Sequence, residues 1–133
     1  MNIERAVELF AIIHLGTGGL SHILAPKAWA RFFLWLRSKE EAGVFVVAFM
    51  NLGFGSIVAA FHQVWSGIPL ILTLLGWASV LKALIYFSFP RFGLKVLQRV
   101  SIERAGMFIY PGLVLLAIAG ILAYHLLDTA PGG

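Results

Sequence analysis

The chain has 133 residues, of which 60% are hydrophobic and only 12% are charged. Soluble domains carry about 25% charged residues, and so few charges could not cover the surface of a soluble fold. The composition therefore predicts a single membrane-embedded domain. The absence of cysteine excludes disulfides, thiolate metal ligands and cysteine nucleophiles.

Four apolar segments, at roughly 3–25, 43–65, 68–89 and 105–127, each have the length of a transmembrane helix, which is about 20 residues. Helix is predicted because the backbone in lipid must satisfy its own hydrogen bonds, and no segment alternates with the period of two that a barrel strand would show. Short connections make neighbouring helices antiparallel. We therefore predict an all-α integral membrane protein, an antiparallel four-helix transmembrane bundle formed by residues 1–133.

The net charge of +4 is concentrated in two connections, at 26–41 and 90–104, whereas the connection between the second and third spans is uncharged. The positive-inside rule then predicts that the first and third loops are cytoplasmic and that both termini are periplasmic. The short chain with no sorting signal suggests a bacterial inner membrane. The basic residues, which we assign to topology and lipid headgroups rather than to nucleic acid, are Lys27, Arg31, Arg37, Lys39, Arg91, Lys95, Arg99 and Arg104.

Both basic connections show helical periodicity. In the first, a stripe of aromatic and leucine residues recurs at i, i+3, i+4 and i+7, and Lys27 and Arg31 fall toward the other side. In the third loop, at 90–104, Arg91, Lys95 and Arg99 share one face. We predict two amphipathic helices in the cytoplasmic interface. They would either anchor the protein to lipid or dock on a partner subunit.

Small residues decide where helices approach closely in lipid. The first, second and fourth spans hold several glycines and alanines, whereas the third holds only Gly76, Ala78, Ser79 and Ala83. We therefore expect the first, second and fourth helices to pack most tightly and the third to present its bulk outward.

Polar side chains at depth in the membrane are costly and mark interhelical contacts or functional sites. His14, Gly18 and His22 are spaced i, i+4, i+8 along one face of the first span. The sequence predicts a polar pocket in the cytoplasmic half of the bundle for a quinone head, a lipid headgroup or a proton path. Its members are His22, Asn51, Lys82, Tyr86 and Tyr110, with His14 near the midplane.

Each of these residues also has a purely structural interpretation. Asn51 and His14 would then serve as hydrogen-bonding groups between helices. Lys82 would extend its apolar stem so that its ammonium group reaches cytoplasmic water. Because side chains tilt toward the helix N-terminus, Lys82 would have to do so against its tilt.

A b-type haem would need two histidines at one depth on facing helices. His62 and His125, each near the outer end of its span, meet that condition, whereas His14 and His22 share one helix. No acidic residue is expected within a span to join the histidines. This argues against a metal site. It also leaves no buried acid that proton-coupled export could use.

The run GLSHILAPKAWA at 19–30 ends a glycine-rich first helix with a polar residue, a proline and an aromatic residue. It resembles the end of the first helix in DoxX-like membrane proteins. The resemblance implies four transmembrane helices, the same approximate length and, for some members, a link to quinone-dependent redox enzymes. The family tends to carry an acidic residue in the second helix, where this chain has Asn51.

The sequence holds no nucleophile-and-base pair, phosphate-binding loop or carboxylate pair, which disfavours an enzyme acting alone without excluding one. We predict a non-catalytic accessory subunit of a larger membrane complex, such as a respiratory or photosynthetic one. The alternative is an intramembrane protein that binds a ligand, a quinone or a haem, and a small transporter is third. The expected partners are the lipid bilayer and either partner subunits or further copies of the chain.

Overall fold

The computed structural model describes residues 1–130, which form helices and connections with no strand among them. Four helices are long and apolar enough to cross a membrane, which fits a multi-pass membrane protein. The helices are α1 Ile3–Leu24, α2 Pro26–Ser38, α3 Glu41–Phe61, α4 Leu70–Ser88, α5 Pro90–Leu97 and α6 Ile109–Asp128, and the 3₁₀ turn Ala105–Phe108 leads into α6. The predictions of an all-α fold and of four apolar helices are confirmed.

Prolines set the starts of the two short helices. Pro26 and Pro90 lie in the first turns of α2 and α5, where a missing N–H leaves no hydrogen bond unmade. The residues before them, Ala25 and Phe89, leave the helical conformation but still donate their backbone N–H groups to the helix that ends there. The α2 helix contacts α5 and the 3₁₀ turn. We call this end of the molecule, with its two basic connections, the basic end.

The long helices form two closely packed pairs, α1 with α6 and α3 with α4. A Cβ atom at Gly19 would lie 2.8 Å from the carbonyl oxygen of Gly112, and one at Gly55 would lie 2.8 Å from that of Gly76. Backbone therefore meets backbone at each crossing, as small residues allow. The expectation that the first, second and fourth helices pack most tightly is wrong, because α4 packs on α3 as closely as α6 packs on α1. One glycine of α4 at the crossing point suffices for close approach.

Two separate cores hold the pairs together. The first draws on α1, α3, α4 and α6, and the second, near the basic end, draws on α2 to α5 only, so far as residues 1–130 are concerned. Because α1 and α6 do not enter the second core, space remains between the two pairs at that depth. The first core contains Val7, Ala11, Leu15, Phe54, Val58, Leu72, Ala119 and Leu122, and the second contains Leu36, Val44, Val47, Ala48, Tyr86 and Leu97.

The second span ends earlier than the hydropathy predicts. Helix α3 stops at Phe61 rather than continuing to residue 65, because the His62 backbone turns to φ −125° and ψ 95°. That turn directs the His62 side chain into the protein, where it is fully buried. The connection to α4 then reverses at Gly67, whose φ of +69° suits glycine.

Candidate functional site

A cavity of about 360 Å³ lies between the two helix pairs and brings together four of the predicted site residues. We call it the polar cavity. A second cavity of about 210 Å³ adjoins it toward the basic end and is lined by Tyr86. The two cavities share Phe33, Met50, Asn51 and Lys82. The polar residues of the first cavity are His14, His22, Asn51, Ser79 and Lys82.

Helix α1 supplies one wall of the polar cavity through His14, Gly18 and His22, the face that the sequence predicts. His22 Nδ1 lies 2.7 Å from the carbonyl oxygen of Gly18. Because a carbonyl oxygen only accepts hydrogen bonds, Nδ1 carries the proton and Nε2 is left to face a ligand. A Cβ atom at Gly18 would meet open space, so this glycine contributes volume to the cavity rather than a helix contact.

An aromatic cluster closes the cavity at the basic end. The Trp29 ring stacks on His22 at 4.1 Å between centroids, and Phe33 stacks on Phe108 at 5.5 Å. The Trp29 Nε1 group donates to Ser21 Oγ at 2.9 Å, which ties α2 to the end of α1. The aromatic stripe of α2 therefore faces the protein and orients His22, in addition to any contact that α2 makes with lipid.

Helices α3 and α4 supply Asn51 and Lys82. Asn51 donates one amide hydrogen to the Val47 carbonyl oxygen at 2.9 Å, which leaves a second N–H and the side-chain oxygen for a ligand. The Lys82 ammonium nitrogen lies 5.5 Å from the centroid of the Tyr86 ring, a cation–π contact one turn closer to the basic end. Among residues 1–130, no acidic side chain lines either cavity.

Three of the predicted site residues lie elsewhere. Tyr110 is 72% exposed and lines neither cavity, so it is not part of the predicted pocket. His62 and His125 lie toward the end opposite to the basic end, where His125 is half-buried on α6. The Tyr110 side chain points outward because Gly112 must face α1, and two residues along a helix turn the side chain by about 200°.

The end opposite to the basic end holds a buried polar network that the sequence did not predict. His62 Nε2 lies 3.0 Å from Glu8 Oε1, and His62 Nδ1 lies 2.9 Å from Thr73 Oγ1. Glu8 is 3% exposed, and His62 and Thr73 are fully buried. The expectation that no acid lies within a span is wrong, since Glu8 lies in α1 about 8 Å from its first residue. Its spacing from Ala11 and Leu15, at i+3 and i+7 on the core face, was the available signal.

Hydrogen-bond directions fix the number of protons in this network. The Thr73 hydroxyl donates to the Val64 carbonyl oxygen at 2.7 Å, so it accepts from His62 Nδ1. A proton must then also lie between His62 Nε2 and Glu8, either as imidazolium with carboxylate or as neutral imidazole with carboxylic acid. Both arrangements leave the pair with no net charge, which is the form that a buried site tolerates.

The network is not arranged for haem ligation or for nucleophilic catalysis. Both ring nitrogens of His62 already have hydrogen-bond partners, so neither is available to an iron atom shared with His125. The Thr73 hydroxyl is committed to a carbonyl and has no access to a substrate. No group of three potential metal ligands from His, Cys, Asp and Glu occurs in the described part of the chain.

Comparisons of the chain with protein-family models, with curated proteins and with solved structures found no match. The DoxX-like resemblance of residues 19–30 therefore stays a prediction.

Proposed function

We propose that this membrane protein binds an amphiphilic small molecule in the polar cavity. The observation that carries the proposal is the convergence of His14, His22, Asn51 and Lys82 from three helices on one cavity of about 360 Å³. Ligand sites are typically concave, mostly apolar and furnished with a few polar groups, with volumes of about 300–1,000 Å³. The sequence offered this function as the alternative to an accessory subunit, and a quinone or a lipid, rather than a haem, is the ligand proposed.

The polar groups of the cavity have hydrogen-bonding capacity that the protein does not use. His14 stacks on Phe54 at 5.0 Å between centroids, and its ring has no hydrogen-bond partner among residues 1–130. His22 Nε2 and the second N–H of Asn51 are similarly free. In a bilayer such groups gain most from a polar ligand, because hydrocarbon offers them no hydrogen bonds.

The topology is a separate proposal. We infer an antiparallel bundle in a bacterial inner membrane with the basic end on the cytoplasmic side, and with α2 and α5 as interfacial amphipathic helices. The basic residues of both connections and the uncharged turn at Gly67 support this orientation. The cavity then opens within the cytoplasmic half of the membrane.

The accessory-subunit role remains a separate proposal. The large apolar exposure of α6, which includes Tyr110, Leu113 and Val114, is equally suited to lipid and to a partner helix. Co-purification from native membranes would test that role independently of ligand binding. For a transporter the cavity offers little support, because the first core fills the half of the bundle opposite to the basic end.

Filling the cavity tests the ligand-binding proposal. Gly18→Phe would place a ring in the polar cavity, and Gly53→Phe is the matched control, because a Cβ atom at either glycine meets open space and Gly53 does not line the cavity. The probes are dibrominated stearic acid and a short-tailed benzoquinone, both quenchers of indole fluorescence. Trp29 at the cavity is the reporter, in a chain whose three other tryptophans, Trp35, Trp65 and Trp77, are replaced by phenylalanine.

We expect saturable quenching by at least one probe in this single-tryptophan chain and in its Gly53→Phe variant, and its loss in its Gly18→Phe variant. Quenching that rises linearly with probe concentration, or that Gly18→Phe leaves unchanged, would overturn the proposal. Circular dichroism of both variants would establish that they retain the helical fold.

A further inference from the structure

We propose that the ligand of the polar cavity is an acyl amphiphile with an anionic headgroup, which pairs with Lys82 while its chain lies in a groove beside Trp29. This inference rests on the proposed function and names its ligand class. The shared chemistry is a carboxylate or phosphate head on a hydrocarbon chain, whether from a free fatty acid or from an anionic phospholipid.

Charge balance at Lys82 favours an anionic ligand. Lys82 is the one formally charged side chain that lines either cavity in the part of the chain described. The single ion pair found among residues 1–130 is Glu8 with His62, at the other end of the bundle. An ammonium group at membrane depth without a counter-charge is costly. An anionic headgroup would supply the counter-charge, whereas a neutral quinone would not.

Lys82 lies within α4 rather than at its end. Lys82 precedes the last residue of α4, Ser88, by six positions, which corresponds to about 9 Å along the helix axis. Its ammonium nitrogen rests over Tyr86 rather than beside a carboxylate. Tyr86 is itself buried in the second core. Lys82 itself is exposed, so a ligand that enters the polar cavity can reach its ammonium group.

The unused hydrogen-bond donors of the polar cavity also favour an anionic ligand. Lys82 has three N–H donors, Asn51 retains one N–H, and His14 can donate from its ring. These groups lie around one cavity together with the Ser79 hydroxyl, which is already bonded to the Leu75 carbonyl oxygen. These donors outnumber the unused acceptors, such as His22 Nε2 and the Asn51 side-chain oxygen. The set therefore suits carboxylate or phosphate oxygens, which accept several hydrogen bonds each.

An adjoining groove provides the place for the chain. A recess of about 300 Å³ lined by Ser21, Ala28, Trp29, Phe32 and Met50 shares Trp29 and Met50 with the polar cavity. Its lining is mostly apolar, and Met50 is 46% exposed, so the recess opens at the lipid-facing surface. An amphiphile could therefore place its head at Lys82 and its tail along α2 without leaving the membrane.

The surroundings favour the same ligand class. The connections on either side carry Lys27, Arg31, Lys95 and Arg99 at the basic end. Basic segments at a membrane surface attract anionic lipids by about 1 kcal/mol per charge. Anionic amphiphiles would be enriched beside the opening of the groove.

The experiment measures charge selectivity with Trp29 as the single tryptophan, in a chain that carries Trp35→Phe, Trp65→Phe and Trp77→Phe. The purified full chain in phosphatidylcholine nanodiscs is titrated with dibrominated stearic acid, its uncharged methyl ester and phosphatidic acid with brominated chains. Each titration is repeated in Lys82→Met and Lys82→Arg, and in Lys27→Met as a control for general surface charge.

We expect the acid or the brominated phosphatidic acid to bind more tightly than the ester, and Lys82→Met to weaken anion binding by about tenfold or more. Lys82→Arg should retain most of the affinity, and Lys27→Met, which removes one surface charge, should weaken anion binding clearly less than Lys82→Met does. Preference for the fatty acid would identify a free acid as the source, and preference for phosphatidic acid would identify a phospholipid. Both support the proposal.

Equal affinity for acid and ester, with no effect of Lys82→Met, would overturn the anionic ligand while leaving the proposed function intact. Absence of saturable quenching by every probe would contradict both proposals. Native mass spectrometry of the unmodified chain provides a second readout should the triple tryptophan variant fold poorly. A bound anionic lipid that is detected in the unmodified chain and lost in Lys82→Met would support the inference. Bound lipids whose masses match uncharged species alone would contradict it.

Discussion

At the scale of single residues, the most constrained group is the imidazole of His62. Its two nitrogens bind Glu8 and Thr73, residues that come from helices on either side of it in the sequence. Among the side-chain hydrogen bonds of residues 1–130, the one between His62 and Glu8 links the α1–α6 pair to the α3–α4 pair. Loss of one partner would leave the other polar group buried without a bond, which costs about 1–3 kcal/mol or more for a charged group.

This network makes a prediction about matched substitutions. Glu8→Gln should preserve stability, because the glutamine amide can donate to the unprotonated His62 Nε2. Glu8→Leu should lower the free energy of unfolding by about 1–3 kcal/mol, and His62→Leu should lower it more, by about 3–5 kcal/mol if Glu8 stays ionised. The double variant Glu8→Leu with His62→Leu should recover part of the loss, since no unpaired group remains.

Thermal or denaturant unfolding in one detergent would measure all four variants. Equal losses in Glu8→Gln and Glu8→Leu would refute the hydrogen-bond assignment. Additive losses in the double variant would show that the two side chains do not interact.

The polar residues show how far the sequence could specify the site. The helical spacing of His14, Gly18 and His22 correctly placed them on one face, and Asn51 and Lys82 do line the same cavity. Tyr110 was misplaced because the sequence of α6 offers no other polar residue at depth to set its rotation. Glu8 was missed because its partner lies 54 positions away and turns inward only where α3 ends.

At the scale of helices, the crossing points at glycine determine which pairs form. At Gly55 an added Cβ atom would lie 2.8 Å from both the Gly76 carbonyl oxygen and the Val80 backbone nitrogen. These are backbone atoms, which cannot move without separating the helices. At Gly53, two residues away on α3, an added Cβ atom would meet open space.

The pair of glycines gives a sharp prediction for packing. Gly55→Ala should reduce the free energy of unfolding by about 1–3 kcal/mol, because overpacking forces the backbones apart. Gly53→Ala should be neutral or stabilising by up to about 1 kcal/mol, because alanine favours helix. Unfolding of both variants in the same detergent would test this. A destabilised Gly53→Ala with an unaffected Gly55→Ala would contradict the described crossing of α3 and α4.

Hydropathy located the helices themselves well, since length and apolar content decide which segments can cross a bilayer. It could not locate the end of α3, because the residues from His62 to Trp65 include no proline or glycine to interrupt the helix. The sequence also could not predict which of the long helices pair. Counting small residues in α4 does not reveal that Gly76 and Ser79 are the ones that face Gly55 of α3.

At the scale of the whole molecule, the distribution of charge makes its orientation testable. The chain has no cysteine, so a single introduced thiol reports on one position without a background. Ser66 lies exposed in the turn between α3 and α4, and Ser38 lies exposed at the end of α2. If the basic end is cytoplasmic, the two positions lie on opposite sides of the membrane.

We therefore expect Ser66→Cys to react with a membrane-impermeant maleimide in intact spheroplasts, and Ser38→Cys to react only after lysis. Mass spectrometry of the purified chain would quantify the labelling. The reverse labelling pattern would show that the basic end lies on the periplasmic side. Labelling of both positions in intact cells would contradict the membrane-spanning arrangement.

The pairing of α1 with α6 also bears on how the bundle assembles. The α3–α4 pair is formed by neighbouring segments, so it can close as a local unit soon after both helices enter the membrane. The α1 helix, by contrast, pairs with the last of the described helices. During synthesis its glycine face must remain without its partner while four intervening helices are made. Nascent chains that end before α6 would therefore present that face, including Gly19, to the insertion machinery and to lipid.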